Sequence, residues 1–312
     1  MKLKRLCSIA LLVISGGSAV LSAVQLVPYI REEAQSASTY RDLAAFFSGE
    51  DVALEDVLDI PSATFNPHGA SDGADVGIES SEEEALSSDG DANELMEDSA
   101  DDAHDDENEA AEDGTPTRQS DSEAASRLQS LHEKNSDCVA WIRIDGTAIN
   151  YPVMYRPQSK NYYLHRDFYG KKSSSGALYI SEICDPDTSD NVIIYGHHMN
   201  SGSMFAALNK YKKKSFYEDH KQIILQTLHG TEVYEVIFAL TTPVYTGKDF
   251  KYYAFSNAHN AREFDTYVSN CRTRALYDTG GTAQYGDHLL TLSTCEYSQR
   301  NGRMLVVAKK VN

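Results

Sequence analysis

Short apolar runs separated by turn residues dominate the second half of the chain. Eight of these runs are rich in β-branched and aromatic residues, the composition typical of strands. They read VAWIRI, AINYPVMY, GALYI, NVIIYG, QIILQTL, VYEVIFALTTPVY, HLLTLST and RMLVVAKKV. Turn signals such as Asp145-Gly146 and Asp185-Pro186 lie between them. So many short strands in one segment predict a mainly β fold, a closed eight-stranded barrel.

Three helical patterns accompany the predicted strands. Leu128 and Leu131 recur at helical spacing in EAASRLQSLHEKN, which precedes the first strand. SMFAALNKY follows Gly202, and AREFDTYVSNCRTRAL begins at Ala261. The pattern therefore predicts helices on the flanks of the barrel, within one folded domain that spans residues 122–312.

The amino-terminal segment is apolar over a length that suits a membrane. Three basic residues precede 25 residues, 6–30, that carry no charged side chain. A helix of that length crosses the hydrocarbon layer of a bilayer, and the preceding cations hold the amino terminus in the cytoplasm. We therefore predict a cytoplasmic tip (1–5), a single transmembrane signal anchor (6–30) in the cell membrane, and an extracellular remainder. A cleaved signal peptide is the alternative, because small residues between Ala19 and Ala23 suit a signal peptidase.

The negative charge of the chain is concentrated in one segment. The formal net charge is −19, but 17 acidic residues and no Lys or Arg lie between Glu79 and Gly114, which leaves about −2 for the rest. Such a composition cannot bury enough apolar surface to fold. We predict a disordered acidic linker at 66–121, after a membrane-proximal segment at 31–65 with a weak helical pattern. A nucleic-acid role is not indicated, because phosphate binding needs a basic surface.

The five cysteines show neither a CxxC pair nor a regular spacing. A disulfide framework and a zinc site are therefore not indicated. The adjacent histidines His197 and His198 have no acidic or cysteine ligand at a useful spacing, so we predict no metal and no cofactor. Cys138, Cys184 and Cys271 are expected to be small buried hydrophobes.

The remaining extracellular cysteine, Cys295, lies in a different setting. It follows HLLTLST, whose alternation predicts a strand with one buried face, and precedes the polar stretch EYSQRNG. Thiolate nucleophiles are found at such strand ends when cations are close. Arg300 and Arg303 provide the cations here, and His197 follows the predicted strand NVIIYG.

Taken together, these segments resemble the class B sortases. TLSTC at Thr291–Cys295 matches the TLxTC signature of that family, YGHHM at Tyr195–Met199 its histidine segment, and GRM at Gly302–Met304 its arginine strand. WIRIDGTAINYPVMY, NYYLHRDFYGKKSSSGALYI and GSMFAALNKY also resemble the class B pattern, in the same order. The resemblance covers residues 125–312 and leaves the acidic linker outside.

The resemblance implies a sortase-type barrel and a membrane-anchored cysteine transpeptidase of a Gram-positive cell surface. Such enzymes cut a sorting signal after Thr and join the new carboxyl end to a cell-wall amine. Cys295 would be the nucleophile, His197 the general acid and base, and Arg303 the oxyanion-stabilising cation. Ser293 and the backbone amide of Glu296 would contact the substrate.

Two of these assignments involve a choice between neighbours. The Gly-His pattern of the family selects His197 over His198. Its arginine opens the last strand and is followed by apolar residues, which selects Arg303 over Arg300. Alternation along that strand also directs Arg303 toward the cysteine.

The implied partners are surface proteins with NPxTN-like or PPxTG-like sorting signals, a peptidoglycan precursor or wall-peptide amine, and the bilayer through residues 6–30. Three other functions stay open from the sequence. A cysteine protease would use the same residues and let water resolve the thioester. A pilus-assembling sortase would use a lysine of another pilin as acceptor. An adhesion or scaffold domain would need none of the three catalytic side chains.

Overall fold

The computed structural model of the chain describes residues 31–50 and 118–311, apart from residues 246, 248, 249 and 299. The predicted membrane anchor at 6–30 and nearly all of the predicted acidic linker at 66–121 lie outside the described residues. Within the described ranges, no helix is long and apolar enough to cross a bilayer.

All eight predicted strands form, and they close into the predicted barrel. Their bounds are β1 Cys138–Arg143, β2 Asn150–Met154, β3 Leu178–Ile180, β4 Asn191–Tyr195, β5 Gln222–Thr227, β6 Gly230–Pro243, β7 Leu289–Glu296 and β8 Gly302–Lys310. Around the barrel the strands are ordered β1-β2-β3-β4-β7-β8-β6-β5, and β5 pairs with β1 to close it. The mainly β fold and its closure are thus confirmed.

Two parallel pairs interrupt an otherwise antiparallel sheet. They are β2 with β3 and β4 with β7. The long connection between β4 and β7 makes the second parallel pair possible, since parallel neighbours need a crossover and cannot be joined by a hairpin. This pairing brings the segment after β4 next to the end of β7, although nearly 100 residues separate them in sequence.

Helices cover the outside of the barrel. The α-helices are α1 at 31–48, α2 Arg118–Lys134, α3 Lys214–Asp219 and α4 Ala261–Arg274, and three 3₁₀ helices cover Tyr162–His165, Phe205–Lys212 and Tyr252–Ala254. The predicted helix SMFAALNKY is therefore a 3₁₀ helix. Its buried residues Phe205, Leu208 and Tyr211 recur every three positions, which aligns them along one edge at three residues per turn.

Strand β7 differs from its prediction, because both of its faces are buried. Seven of its eight residues are buried, and Cys295 is the exception. The helices packed outside the barrel explain this: Tyr267 of α4 hydrogen-bonds Thr291 on β7, with 2.9 Å between the two hydroxyl oxygens. The expectation of a single buried face was therefore wrong for this strand.

Helix α1 packs against the same barrel. Tyr40 and Leu43 are buried, at 3% and 0% exposure. Farther along the helix, the ring of Phe47 stacks on Trp141 of β1 at a centroid distance of 4.2 Å. Aromatic and aliphatic burial of this kind makes α1 part of the folded unit that contains the barrel.

Candidate active site

Cys295 and Arg303 lie directly opposite each other on neighbouring antiparallel strands. The register of β7 and β8 pairs Cys295 with Arg303 and Glu296 with Gly302. Side chains opposite each other in an antiparallel pair share one face, with Cβ atoms about 4.5–5.5 Å apart. The thiol and the guanidinium are therefore brought together by the hairpin itself.

His197 reaches the same place from β4. The parallel register ends with Tyr195 opposite Ser293, and the amide of Gly196 donates to the carbonyl of Ser293 at 3.2 Å. His197 therefore leaves the strand beside the end of β7. Gly196 allows this close packing, because a Cβ at that position would lie 2.3 Å from Cδ2 of Leu178.

A backbone carbonyl fixes the ring of His197. Nε2 lies 2.8 Å from the carbonyl oxygen of Leu164, in the 3₁₀ turn Tyr162–His165. A carbonyl can only accept, so Nε2 carries the hydrogen, and Nδ1 is the nitrogen that can exchange a proton. The ring also stacks on His165 at a centroid distance of 5.6 Å. Burial lowers the pKa of His197, the hydrogen bond to Leu164 acts against that, and His165 lowers it further.

The three side chains line one open groove of about 270 Å³. Its walls carry five tyrosines, at positions 179, 195, 245, 252 and 253. Lys160 and Glu182 add a pair of opposite charges, with 3.8 Å between Nζ and Oε1. Aromatic walls with a few polar groups suit an extended peptide that has both apolar and polar side chains.

Ser293 occupies the position before Cys295 on the same face of β7. Its hydroxyl lies 2.8 Å from that of Tyr252, and both residues line the groove. Along this face, α4 covers Thr291, the 3₁₀ turn of Tyr252 covers Ser293, and the cover ends at Cys295. Ser293 is 1% exposed, so its hydroxyl is engaged within the groove wall.

Glu296 directs its side chain away from the groove. The carboxylate contacts Lys212 and accepts hydrogen bonds from the amide and hydroxyl of Ser298, at 2.9 and 2.7 Å. Burial alone would raise the pKa of Glu296, but the hydrogen bonds from Lys212 and Ser298 hold it below its usual range. Any contact of Glu296 with substrate is thus left to its backbone amide, the group that the sequence assigned to it.

A second network holds the backbone behind Cys295. The side-chain amide of Asn209 contacts Nδ1 of His198, and it donates to the carbonyl oxygen of Cys295 at 3.2 Å. His198 also meets the ring of Tyr297 edge-on, at a centroid distance of 5.4 Å. The two adjacent histidines therefore have different surroundings: His197 faces the groove, whereas His198 supports the chain around Cys295.

The two candidate arginines are also distinguished by their positions. Arg303 is half-buried at the start of β8 and lines the groove, with Nη1 donating to the carbonyl of Gly302 at 2.9 Å. Arg300 is exposed in the turn between β7 and β8 and is not part of the groove wall.

The other three described cysteines are buried free thiols, as expected. Burial raises the pKa of all three, to about 11 for Cys184 and about 12 for Cys271. Buried neutral thiols of this kind are poor nucleophiles. Among the four described cysteines, Cys295 alone lines the groove.

Several groups of the site could not be identified from the sequence pattern. The carbonyl of Leu164 orients His197, Asn209 holds the carbonyl of Cys295, and Tyr252 binds the hydroxyl of Ser293. A backbone carbonyl leaves no trace in residue identity. Asn209 gave a weak signal, as a lone amide in the otherwise apolar and basic helix SMFAALNKY.

Comparison with known proteins gives consistent matches over the barrel. A family model described as the Sortase domain matches residues 142–311. Sortase B of Staphylococcus aureus (strain NCTC 8325 / PS 47) is 32% identical over 188 residues, covering 59% of this chain and 74% of that protein. Sortase B of Listeria monocytogenes serovar 1/2a (strain ATCC BAA-679 / EGD-e) is 32% identical over 203 residues, covering 62% and 78%.

The fold of the chain is also similar to that of solved class B sortases. A solved Staphylococcus aureus sortase B–substrate complex superposes with a TM-score of 0.55 at 29% identity, over 60% of this chain and 86% of that one.

Proposed function

The chain belongs to the sortase family, among the class B cysteine transpeptidases, and on that premise we propose that it joins surface proteins to a cell-wall amine through a thioester on Cys295. One observation carries the proposal. A thiol, an imidazole and a guanidinium from three different strands or strand ends line the same groove. In the first half-reaction, Sγ of Cys295 attacks the Thr carbonyl carbon of a sorting signal, and the amide C–N bond then breaks. One difficult acyl transfer is split into two easier steps in this way.

His197 moves the proton in both steps. Its Nε2–H is committed to the carbonyl of Leu164, so Nδ1 takes the proton of the Cys295 thiol as Sγ attacks and gives that proton to the departing amine. The same Nδ1 then takes a proton from the incoming amine as its nitrogen attacks the thioester, and returns that proton to Sγ of Cys295 as the sulfur leaves. Nε2–H donates to the Leu164 carbonyl whether the His197 ring is neutral or protonated. The ring therefore keeps one orientation through the cycle.

Arg303 stabilises the tetrahedral intermediates. Its guanidinium lies on the same face as the thiol, one strand away, where the negative charge develops on the carbonyl oxygen. Fixed donors aimed at such an oxyanion typically lower the barrier by about 3–4 kcal/mol. The backbone amide of Glu296, in the peptide bond that follows Cys295, is the proposed second donor.

The proposed substrate is supported by the resemblance and by the groove, and the proposed location rests on the apolar segment at residues 6–30. The groove has aromatic walls with a few polar groups, which suits an extended NPxTN-like or PPxTG-like peptide. The relative solved as a substrate complex is a class B enzyme with the same barrel. We place the catalytic domain outside the cell membrane, held by an anchor at residues 6–30, with a peptidoglycan precursor or wall peptide providing the amine.

A two-part mass measurement tests the proposal. The full-length chain is incubated with a panel of NPxTN-like and PPxTG-like peptides, and an acyl adduct is sought on Cys295. An oligoglycine or a diamino-acid peptide is then added as acceptor. Transfer of the acyl group to the acceptor supports a transpeptidase. A product that never contains the acceptor would identify a hydrolase, and an adduct that survives in Cys295→Ala would reject the proposed nucleophile.

A further inference from the structure

One stripe of helix α1 hydrogen-bonds three consecutive residues of a barrel loop. Glu32, Ser36 and Tyr40 lie four residues apart and therefore share one face of the helix. The carboxylate of Glu32 accepts from the amide of Ser174 at 2.7 Å. The hydroxyls of Ser36 and Ser175 lie 2.5 Å apart, and the hydroxyl of Tyr40 donates to the carbonyl of Gly176 at 2.7 Å. We call the loop of residues 173–177 the clamped loop.

The clamped loop wraps the 3₁₀ turn that holds His197. The amide of Ser173 donates to the carbonyl of His165 at 3.0 Å, and the amide of Ala177 donates to the carbonyl of Tyr163 at 3.0 Å. These two bonds bracket Leu164, whose own carbonyl accepts from Nε2 of His197. The turn is therefore fixed on both sides of the atom that orients the histidine.

Gly176 brings the loop unusually close to that atom. A Cβ at this position would lie 2.4 Å from the carbonyl oxygen of Leu164 and 2.6 Å from that of Tyr163. Its φ of 58° is also in the left-handed region, which glycine adopts without a steric cost. A displacement of Gly176 is consequently passed directly to the Leu164 carbonyl.

The chemistry of this contact differs from that of the rest of α1. Leu43 and Phe47 bury apolar surface against the barrel, and such packing stabilises without fixing an orientation. The clamp is instead made of directional bonds between buried polar groups, with Ser36 at 7% and Ser175 at 3% exposure. Bonds of that kind fix geometry more than they add stability.

We propose that Glu32, Ser36 and Tyr40 are positioning residues for His197. They hold the clamped loop, the loop holds the Leu164 carbonyl, and that carbonyl sets the ring for proton transfer through Nδ1. Helix α1, which precedes the proposed linker, then contributes to catalysis although it lies outside residues 142–311, the part of the chain that the family model matches. The proposal rests on the proposed function of His197.

Two hydroxyl deletions test the clamp in the full-length chain. Tyr40→Phe keeps the buried ring and removes only the donor to Gly176, and Ser36→Ala removes the partner of Ser175. Ser36→Thr restores a hydroxyl. Losing one such bond is expected to lower kcat about 3- to 10-fold without a matching change in KM. Ser38→Ala is the matched control, since Ser38 is on the exposed face of the same helix and its hydroxyl donates to the carboxylate of Asp42 at 3.4 Å.

A readout that needs no substrate separates positioning from folding. The rate of Cys295 alkylation is measured against pH, in a Cys7→Ala background, together with the NMR signal of the His197 ring and the Tm. Positioning predicts an altered pH profile and a shifted ring signal in Tyr40→Phe and Ser36→Ala, with recovery in Ser36→Thr. Leu43→Ala, which loosens apolar packing only, should lower Tm and leave the pH profile unchanged.

The outcomes distinguish this inference from the proposed function. If Tyr40→Phe and Ser36→Ala keep the kcat, pH profile and ring signal of the unaltered chain, the clamp has no positioning role. The same conclusion follows if Leu43→Ala changes the pH profile as much as they do. If His197→Ala retains full transfer activity, the proposed function itself fails, whatever the clamp variants show.

Discussion

The peptide bond after the nucleophile offers a sharp test of the site. The carbonyl of Cys295 and the amide of Glu296 belong to one planar trans peptide, so they point in opposite directions. Asn209 donates to that carbonyl at 3.2 Å. By holding the oxygen on the far side, Asn209 aims the Glu296 amide toward the groove, where it is proposed to bind the oxyanion. Asn209→Ala removes the donor without adding bulk.

The size of the effect can be bounded from the structure. A single neutral hydrogen bond of this length contributes about 1 kcal/mol net, which corresponds to about a fivefold change in the aligned population. Complete loss of one oxyanion donor costs about 100-fold or more in kcat. We therefore expect Asn209→Ala to lower kcat for acylation between about 5- and 100-fold, with little change in KM.

The assay is acyl-enzyme formation on Cys295, followed by rapid quench and mass measurement under single-turnover conditions. Asn270→Ala is the matched control, because half-buried Asn270 lies outside the groove wall and makes its side-chain bonds within helix α4, to the Thr266 carbonyl and to Arg274, both at 2.8 Å. Acylation by Asn209→Ala within about twofold of the unaltered chain, at unchanged Tm, would refute the assigned role of this peptide. An equal loss in Asn270→Ala would attribute the effect to general destabilisation.

Three further predictions follow from the same geometry. Arg303→Ala should lower acyl-enzyme formation about 100-fold or more, whereas Arg300→Ala should stay near the unaltered rate; comparable rates for the two variants would remove the distinction between strand and turn. In a Cys7→Ala background, a thiol reagent should label one cysteine rapidly in the folded chain, Cys295, and three more only after unfolding; rapid labelling of more than one would contradict the observed burial. In an NMR titration, His197 should titrate below the ordinary value of about 6.5, because burial disfavours the imidazolium. His165→Gln should move the pKa of His197 upward, since it removes the electrostatic interaction with His165 that lowers it, and a downward movement would show that the sign of the interaction is wrong.

The barrel itself could be predicted from local pattern. Alternation and β-branched content are properties of a few consecutive residues, so each of the eight strands was visible in the chain. The hairpin of β7 and β8 is also nearly local, because only a five-residue turn separates Cys295-Glu296 from Gly302-Arg303. Once the two strands pair, Arg303 faces Cys295 by register alone.

Burial along β7 could not be predicted in the same way. The alternation of HLLTLST suggested one buried face, but α4 and the turn of Tyr252 cover the second face from distant parts of the chain. Polar positions such as Thr291 and Ser293 are buried because tyrosine hydroxyls satisfy them. A strand's own residues do not reveal which helix will pack on it.

The sequence by itself determined the reacting groups, a thiol, an imidazole and a guanidinium in recognisable contexts, and the strands that carry them. Only the tertiary structure decided how those groups are oriented. The orientation of His197 depends on the Leu164 carbonyl, that of the Cys295 peptide on Asn209, and the clamped loop on a helix more than 130 residues earlier in the chain. The physical reason is that a hydrogen bond depends on distance and angle between atoms in space, and backbone carbonyls are identical at every position of a sequence.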